Sequence, residues 1–242
     1  MGCSGSGPGP DSPASSYLVE HDGFRLVLDL GNGAFGVLQR LVDPASIDAV
    51  FLTHLHADHC LDVAPLVVWH RYSGRSPGRP VPLLAPVAAE RRLALAYDSD
   101  GDGLTDVLDF VPVGAGPLEI GPFRAELART AHPVECYAIR LTAGGRSLVY
   151  TGDTGPCARV VDLARGADVL LAEAAHPDDD PAQPPGLHLT GRQAGEHAAE
   201  AGVGRLLLTH VPAWVDGGGQ VAAACTVFPM TELVRPLGVY DI

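Results

Sequence analysis

The sequence predicts an α/β fold in which two mixed β-sheets carry helices on their outer faces. Apolar, strand-like runs cluster early in the chain and then alternate with helix-like segments, a pattern that places strands inside and helices outside. Several of these runs also stop at or beside a histidine or a carboxylate, at His54, Asp153, Glu173 and His210. Polar residues repeated at strand ends gather along one sheet edge, where rigid elements hold a site and loops leave it open. The chain has 242 residues, and no linker or internal repeat divides it. One domain over residues 1–242 is therefore expected.

The elements follow in order. The first sixteen residues are rich in Gly, Ser and Pro and read as a loop. Tyr17–Glu20 and Phe24–Asp29 flank the turn signal His21-Asp22-Gly23 and read as a hairpin. Ala34–Val42 reads as a helix, Ala49–Thr53 as a buried strand, Leu61–His70 as a helix and Arg71–Pro80 as a loop. Further on, Phe123–Ala128, Tyr137–Thr142 and Ser147–Thr151 read as strands, and Val160–Arg165 as a helix. Asp168–Ala172 reads as a strand ending at Glu173. Gly191–Ala201 is a helix with Thr190 as its N-cap, and Arg205–Thr209 is a strand running into His210.

Composition narrows the function. The chain is 46% hydrophobic and has no run near the roughly 20 apolar residues needed to span a bilayer. It has no signal peptide pattern either, so a soluble cytoplasmic protein away from membranes is expected. The net charge is −13, and arginine supplies every basic side chain, since there is no lysine. Even two divalent ions, adding about +4, leave the protein acidic. Such a surface repels a phosphate backbone, so a small-molecule substrate is expected and a large nucleic acid is not. A homodimer is compatible with the sequence. The five cysteines are odd in number and form no CxxC pair, as in a reduced cytosolic protein. Cys60 adjoins the histidine-rich segment and reads as a small buried hydrophobe.

That segment is His54-Leu55-His56-Ala57-Asp58-His59, directly after a strand. Imidazole and carboxylate donors suit Zn²⁺ and related ions. Four such donors from so short a segment cannot all reach one small ion. Alternate ones can, so His54 and His56 serve one metal while Asp58 and His59 serve a neighbour. Further donors are needed, and His132, Asp153 and His210 stand in similar settings. Taken singly, a strand-end histidine is more often structural, and an aspartate after glycine is usually a turn residue. The hexapeptide has no comparably ordinary explanation.

HxHxDH followed in order by His, Asp and His resembles the metallo-β-lactamase superfamily over nearly the whole chain. Within it the sequence is most similar to the ribonuclease Z-like branch, through Tyr150-Thr151-Gly152-Asp153-Thr154, Leu170-Leu171-Ala172-Glu173-Ala174, His188-Leu189-Thr190 and Gly202 through His210. The resemblance implies an αββα sandwich with two metal ions at one edge. It implies that His54, His56 and His132 bind the first ion, that Asp58, His59 and His210 bind the second, and that Asp153 bridges them. Zinc is favoured; manganese and iron accept the same donors. His188 matches a histidine that assists at the leaving group, and Glu173 matches a strand-end carboxylate. For Glu173, support of the site and a plain surface acid both remain open.

Two ions sharing a water lower its pKa towards neutrality, and the resulting hydroxide attacks phosphorus or a carbonyl carbon. Asp58 can orient that nucleophile, and His188, with a pKa near neutrality, can protonate a departing alkoxide. The leading expectation is a metal-dependent hydrolase of small phosphodiesters or related esters. The alternative is a lactonase, thioesterase or β-lactamase-like enzyme acting at carbon, which often uses a tyrosine that the sequence does not place. A non-enzymatic metal-binding or ligand-sensing protein is the third class, disfavoured by the complete donor set. Ribonuclease Z proper carries a tRNA-gripping arm between the motif histidine and the bridging aspartate, whereas His132 and Asp153 are only 21 positions apart. Two other motifs carry less. Asp98-x-Asp100-x-Asp102-Gly103, with Asp106 and Asp109 following, resembles a calcium loop but lacks its last Glu and reads as a solvated acidic loop. Met1-Gly2-Cys3-Ser4-Gly5-Ser6 fits a myristoylation pattern. It reads better as the Gly-rich loop after the first strand of related hydrolases, so that the chain begins where that strand should end.

Overall fold

The computed structural model describes residues 1–97, 103–178, 184 and 186–242. The first sheet holds β1 (Tyr17–His21), β2 (Phe24–Leu28), β3 (Ala49–Phe51), β4 (Val81–Ala85) and β5 (Leu108–Pro112) side by side in that order. β1 runs antiparallel to β2, and the others are parallel. The second sheet holds β6 (Gly116–Ile120), β7 (Phe123–Arg129), β8 (Tyr137–Ala143), β9 (Arg146–Tyr150), β10 (Val169–Glu173), β11 (Arg205–Thr209) and β12 (Thr231–Leu233), again in order. Its first half is antiparallel and its second half, from β9 onward, is parallel.

Strand periodicity divides the apolar residues among three cores. Successive side chains on a strand point to opposite faces. Thus Leu26, Leu28, Ala49 and Phe51 face Leu148, Tyr150, Val169, Leu171 and Leu207 between the sheets. Their neighbours Val27, Val50 and Leu52 turn outward, onto α1 (Ala34–Leu41), α3 (Val63–Tyr72) and α4 (Ala89–Ala96). On the far side Val149, Leu170, Ala172, Leu206 and Leu208 meet α5 (Ala158–Ala164), α6 (Gly191–Ala201) and α7 (Gly217–Cys225). The layers are helix, sheet, sheet, helix: an αββα sandwich. Among the described residues, no helix is long and apolar enough to cross a membrane.

The structure departs from the sequence reading in places. The histidine-rich segment is not purely a loop: Ala57–Cys60 form one helical turn, α2. The following helix starts at Val63 rather than Leu61, because the Leu61 amide closes that turn onto Ala57. It also runs on to Tyr72, two residues past the expected end. Asp62 is spent on α1, accepting the Phe35 amide at 2.8 Å. Residues 1–16 form no named strand but double back, with Gly2 and Ser16 exchanging backbone hydrogen bonds at 3.0 and 3.1 Å. Gly2, the residue a myristoyl group would modify, is buried there. The acidic loop from Asp98 to Asp102 lies outside the described residues; within its flank, Asp106 binds Arg71.

Candidate metal centre

The carboxyl ends of parallel strands from both sheets deliver the site. His54 follows β3, Asp153 follows β9, Glu173 ends β10 and His210 follows β11, while His132 stands between β7 and β8. Local backbone choices aim them inward. Gly152 takes φ 56° before Asp153, and a Cβ there would come within 2.9 Å of Thr53. His210 itself holds φ 54°, a conformation unusual for a side chain larger than glycine and often found at functional sites.

Two groups of donors contain the expected ligands, and a third, Asp153, His188 and His210, overlaps them. His54, His56, His132 and Asp153 bring one donor atom each within 4.8 Å of one another, and so do Asp58, His59 and His210. In the first, His54 Nε2 lies 3.0 Å from His56 Nδ1 and 3.6 Å from Asp153 Oδ2, and His132 Nε2 lies 3.3 Å from His56 Nδ1. In the second, His59 Nε2 is 3.5 Å from Asp58 Oδ2, and His210 Nε2 is 3.8 Å from the same oxygen. Asp153 Oδ1 reaches this group too, 3.1 Å from His59 Nε2 and 3.5 Å from His210 Nε2. Donors on a tetrahedral ion with bonds of about 2.0–2.2 Å stand roughly 3.3–3.5 Å apart, so these spacings suit a cation. His59 Nε2, His210 Nε2 and Asp153 Oδ1 are buried yet make no hydrogen bond, a state costly without a partner. The residues present therefore fit a divalent ion in each group, with one Asp153 oxygen turned to each.

The other ring nitrogens are already occupied. Thr53 Oγ1 gives its hydrogen to Asp29, at 2.9–3.0 Å, and so accepts from His54 Nδ1 at 3.0 Å. His59 Nδ1 donates to Asp29 Oδ2 at 2.7 Å, and Ser15 Oγ lies 2.8 Å from His210 Nδ1. Such outer contacts fix the tautomer that points Nε2 at the metal. Asp29 is fully buried and also accepts from the Thr53 amide and the Tyr150 hydroxyl. Sequence reading placed it as the last residue of a strand and missed its role. The available signal was a carboxylate at a buried strand end just before Gly31-Asn32-Gly33.

Electrostatics match this arrangement. Burial drives His54 well below the usual imidazole range and His210 down to about 4, so both are neutral at pH 7. Burial opposes the Asp153 charge, but the imidazoles of His210, His59 and His54 win and hold it well below the usual carboxylate range. Burial likewise disfavours charge on His59, yet Asp153 and Asp29 raise it well above normal. The proton His59 keeps is the one a metal would displace.

Glu173 resolves as a buried residue rather than a surface acid. It accepts from His188 Nδ1 at 2.9 Å, and from the amides of Thr154, Ala175 and Leu189. Burial pushes its carboxyl up to about 7. His188 departs from the near-neutral value expected: burial pulls it down, but Glu173 more than offsets this and raises it to about 9. Its ring centroid stands 5.5 Å from that of His132 and 5.8 Å from that of His210. Thr190 caps α6 as expected, with Gln193 completing a capping box that fixes the segment carrying His188. Residues 179–183 and 185, ahead of His188, lie outside the described residues. Cys60 is a buried core residue whose thiol burial pushes up to about 12.

Comparison with known proteins gives concordant results. The model of the family described as "Beta-lactamase superfamily domain" matches residues 25–211. An uncharacterized protein of Mycobacterium leprae is 46% identical over 94% of this chain and 82% of its own length. The probable metallo-hydrolase YhfI of Bacillus subtilis is 33% identical over 88% of this chain and 85% of its own. The crystal structure of YhfI, a metallo-β-lactamase fold protein, superposes with a TM-score of 0.88 at 28% identity, covering 99% of this chain and 96% of that one. Human tRNase Z, short form, shares the fold, with a TM-score of 0.78 at 22% identity over 100% and 97% of the two chains.

Proposed function

This chain belongs to the metallo-β-lactamase superfamily and has ribonuclease Z-like relatives, and from that premise we propose that it is a metal-dependent hydrolase of small phosphodiesters or related esters. His54, His56 and His132 would hold one divalent ion, Asp58, His59 and His210 a second, and Asp153 both. Zinc suits this donor set best, with manganese or iron also accommodated. Bound there, the ions supply Lewis acidity towards a water and towards the substrate oxygens.

The chain's own groups do the rest. Asp58, the least buried donor of its group, accepts a hydrogen bond from the attacking water and orients it. His188 carries a proton and gives it to the leaving oxygen, while Glu173 holds the ring at Nδ1 and leaves Nε2–H to donate. Divalent ions nearby would bring the His188 pKa down from about 9, towards the range where it both holds and gives up a proton.

The observation that carries the phosphodiester reading is this hydrogen-bonded His188–Glu173 pair beside the donor cluster, since a basic alkoxide needs a proton to leave. Among the described residues, the hydroxyls of Tyr17, Tyr150 and Tyr137 are already engaged, by Thr209, Asp29 and Glu135. Small substrates are supported by the His132–Asp153 interval, which is filled by the β8–β9 hairpin, and by the charge of −13. Free thiols at Cys60, Cys136 and Cys157, all buried, suit a reducing compartment such as the cytoplasm.

The test is a panel of bis-p-nitrophenyl phosphate, a lactone, a thioester and precursor tRNA, offered to zinc- or manganese-loaded protein. The diester should turn over fastest. Faster turnover of the lactone or thioester would move the reaction to carbon, and tRNA trimming at diester-like rates would overturn the small-substrate reading.

A further inference from the structure

The N-terminal segment, a plain loop by composition, is built against His210. Gly5 packs on it so closely that a Cβ would collide with the His210 carbonyl and come within 2.8 Å of its ring carbon Cδ2. Ser15 is fully buried, and its hydroxyl lies 2.8 Å from His210 Nδ1. Two residues on, the Tyr17 hydroxyl meets Thr209, the residue before His210, at 2.6 Å. The segment thus grips both the side chain and the left-handed backbone of His210.

We propose that Ser15 is a positioning residue for the second metal group: by accepting the Nδ1–H of His210 it selects the tautomer whose Nε2 lone pair faces Asp58 and Asp153. A serine oxygen keeps lone pairs for an imidazole N–H, and the 2.8 Å separation in a fully buried setting places it to accept one. Free imidazole side chains carry the proton mainly on Nε2, the wrong nitrogen for this site. A hydroxyl acceptor at Nδ1 removes that preference before any ion arrives. Thr53 acts in the same way on His54, but it neighbours its histidine in sequence, whereas Ser15 is 195 positions away. The inference rests on the two-ion reading, and its test separates the two.

Metal-loaded wild type and Ser15→Ala are titrated with a chelator, and the ions remaining per chain are counted. Ser15→Ala should keep one ion with wild-type affinity and release the other about 10–100-fold more readily, the usual loss on removing an outer partner of a metal-bound histidine. In parallel, ¹⁵N NMR of the full chain after chelation reports the His210 tautomer. The wild type should be protonated on Nδ1 and Ser15→Ala shifted towards Nε2. Identical release from both proteins, equal weakening of both ions, or a wild-type His210 protonated on Nε2 would each overturn the role of Ser15. A wild type that holds fewer than two ions would instead refute the two-ion reading, and the tautomer spectrum still decides on Ser15. If Ser15→Ala does not fold, the wild-type spectrum decides alone: a proton on Nδ1 supports the role of Ser15, and a proton on Nε2 overturns it.

Discussion

Asp153 faces three further donors on each side, and the two sets are held differently. Asp58, His59 and His210 are 8%, 0% and 1% exposed, and both rings are tied at Nδ1, to Asp29 and to Ser15. On the other side only His54 is fully buried and tied, through Thr53. His56 is exposed at the N-cap of α2, and His132 is half-buried on the connection between β7 and β8. The same residue types therefore make a sealed, preorganised group and an open one. Asp153 reaches both groups, with Oδ2 near His54 and Oδ1 near His59 and His210. Rigidity here comes from buried hydrogen-bond partners more than from the donors themselves.

The strongest way to break the comparison is to remove its pivot. Asp153→Ala should lose both ions and reduce turnover by well over about 100-fold, beyond the range for loss of an outer partner. Metal analysis and diester turnover check this together; normal metal content with full activity would exclude Asp153 as the shared donor. Asp29→Asn comes next. Because Asp29 holds His59 directly and His54 through Thr53, this change should weaken both groups by about 10–100-fold and erase their difference. Chelator titration measures it, and loss confined to one group would contradict the link through Thr53.

His188→Ala should leave the comparison intact, keeping both ions. It should cost about 10²-fold on alkyl diesters and much less on p-nitrophenyl esters, whose phenolate leaves without a proton. Equal losses on both substrates would reduce His188 to a support for Thr190. The pH dependence has a definite sign. The His188 pKa is raised, so the proton is present below it and is lost as pH rises through it, towards 9 without ions and earlier with them. Alkyl diester hydrolysis should therefore decline on the alkaline side, and that limb should vanish in His188→Ala.

How much of this was legible in sequence follows from where each signal lies. The donors stand out because His54-Leu55-His56-Ala57-Asp58-His59 concentrates costly polar groups after an apolar strand, and the later ones recur at strand ends. The strands β2, β3, β10 and β11 were legible because apolar residues fill both of their faces. β5 and β6 escaped notice because they are half-exposed edge strands, each interrupted by an acidic residue and a proline, and α7 because it opens with three glycines. The supporting contacts were the least legible. In sequence Asp29 is an ordinary strand-end residue and Ser15 an ordinary loop residue, and only the fold brings them to histidines 30 and 195 positions away. Glu173 could not be separated from a surface acid until its burial among four hydrogen-bond donors was seen.

The central claim is that this edge of the sandwich holds two divalent ions around Asp153. Its most direct test is the metal content of the purified wild type after incubation with excess zinc and removal of loosely held ions. The account predicts close to two ions per chain, with graded chelation releasing the one at His54, His56 and His132 before the one at Asp58, His59 and His210. One ion or none, or first release from the sealed group, would contradict it.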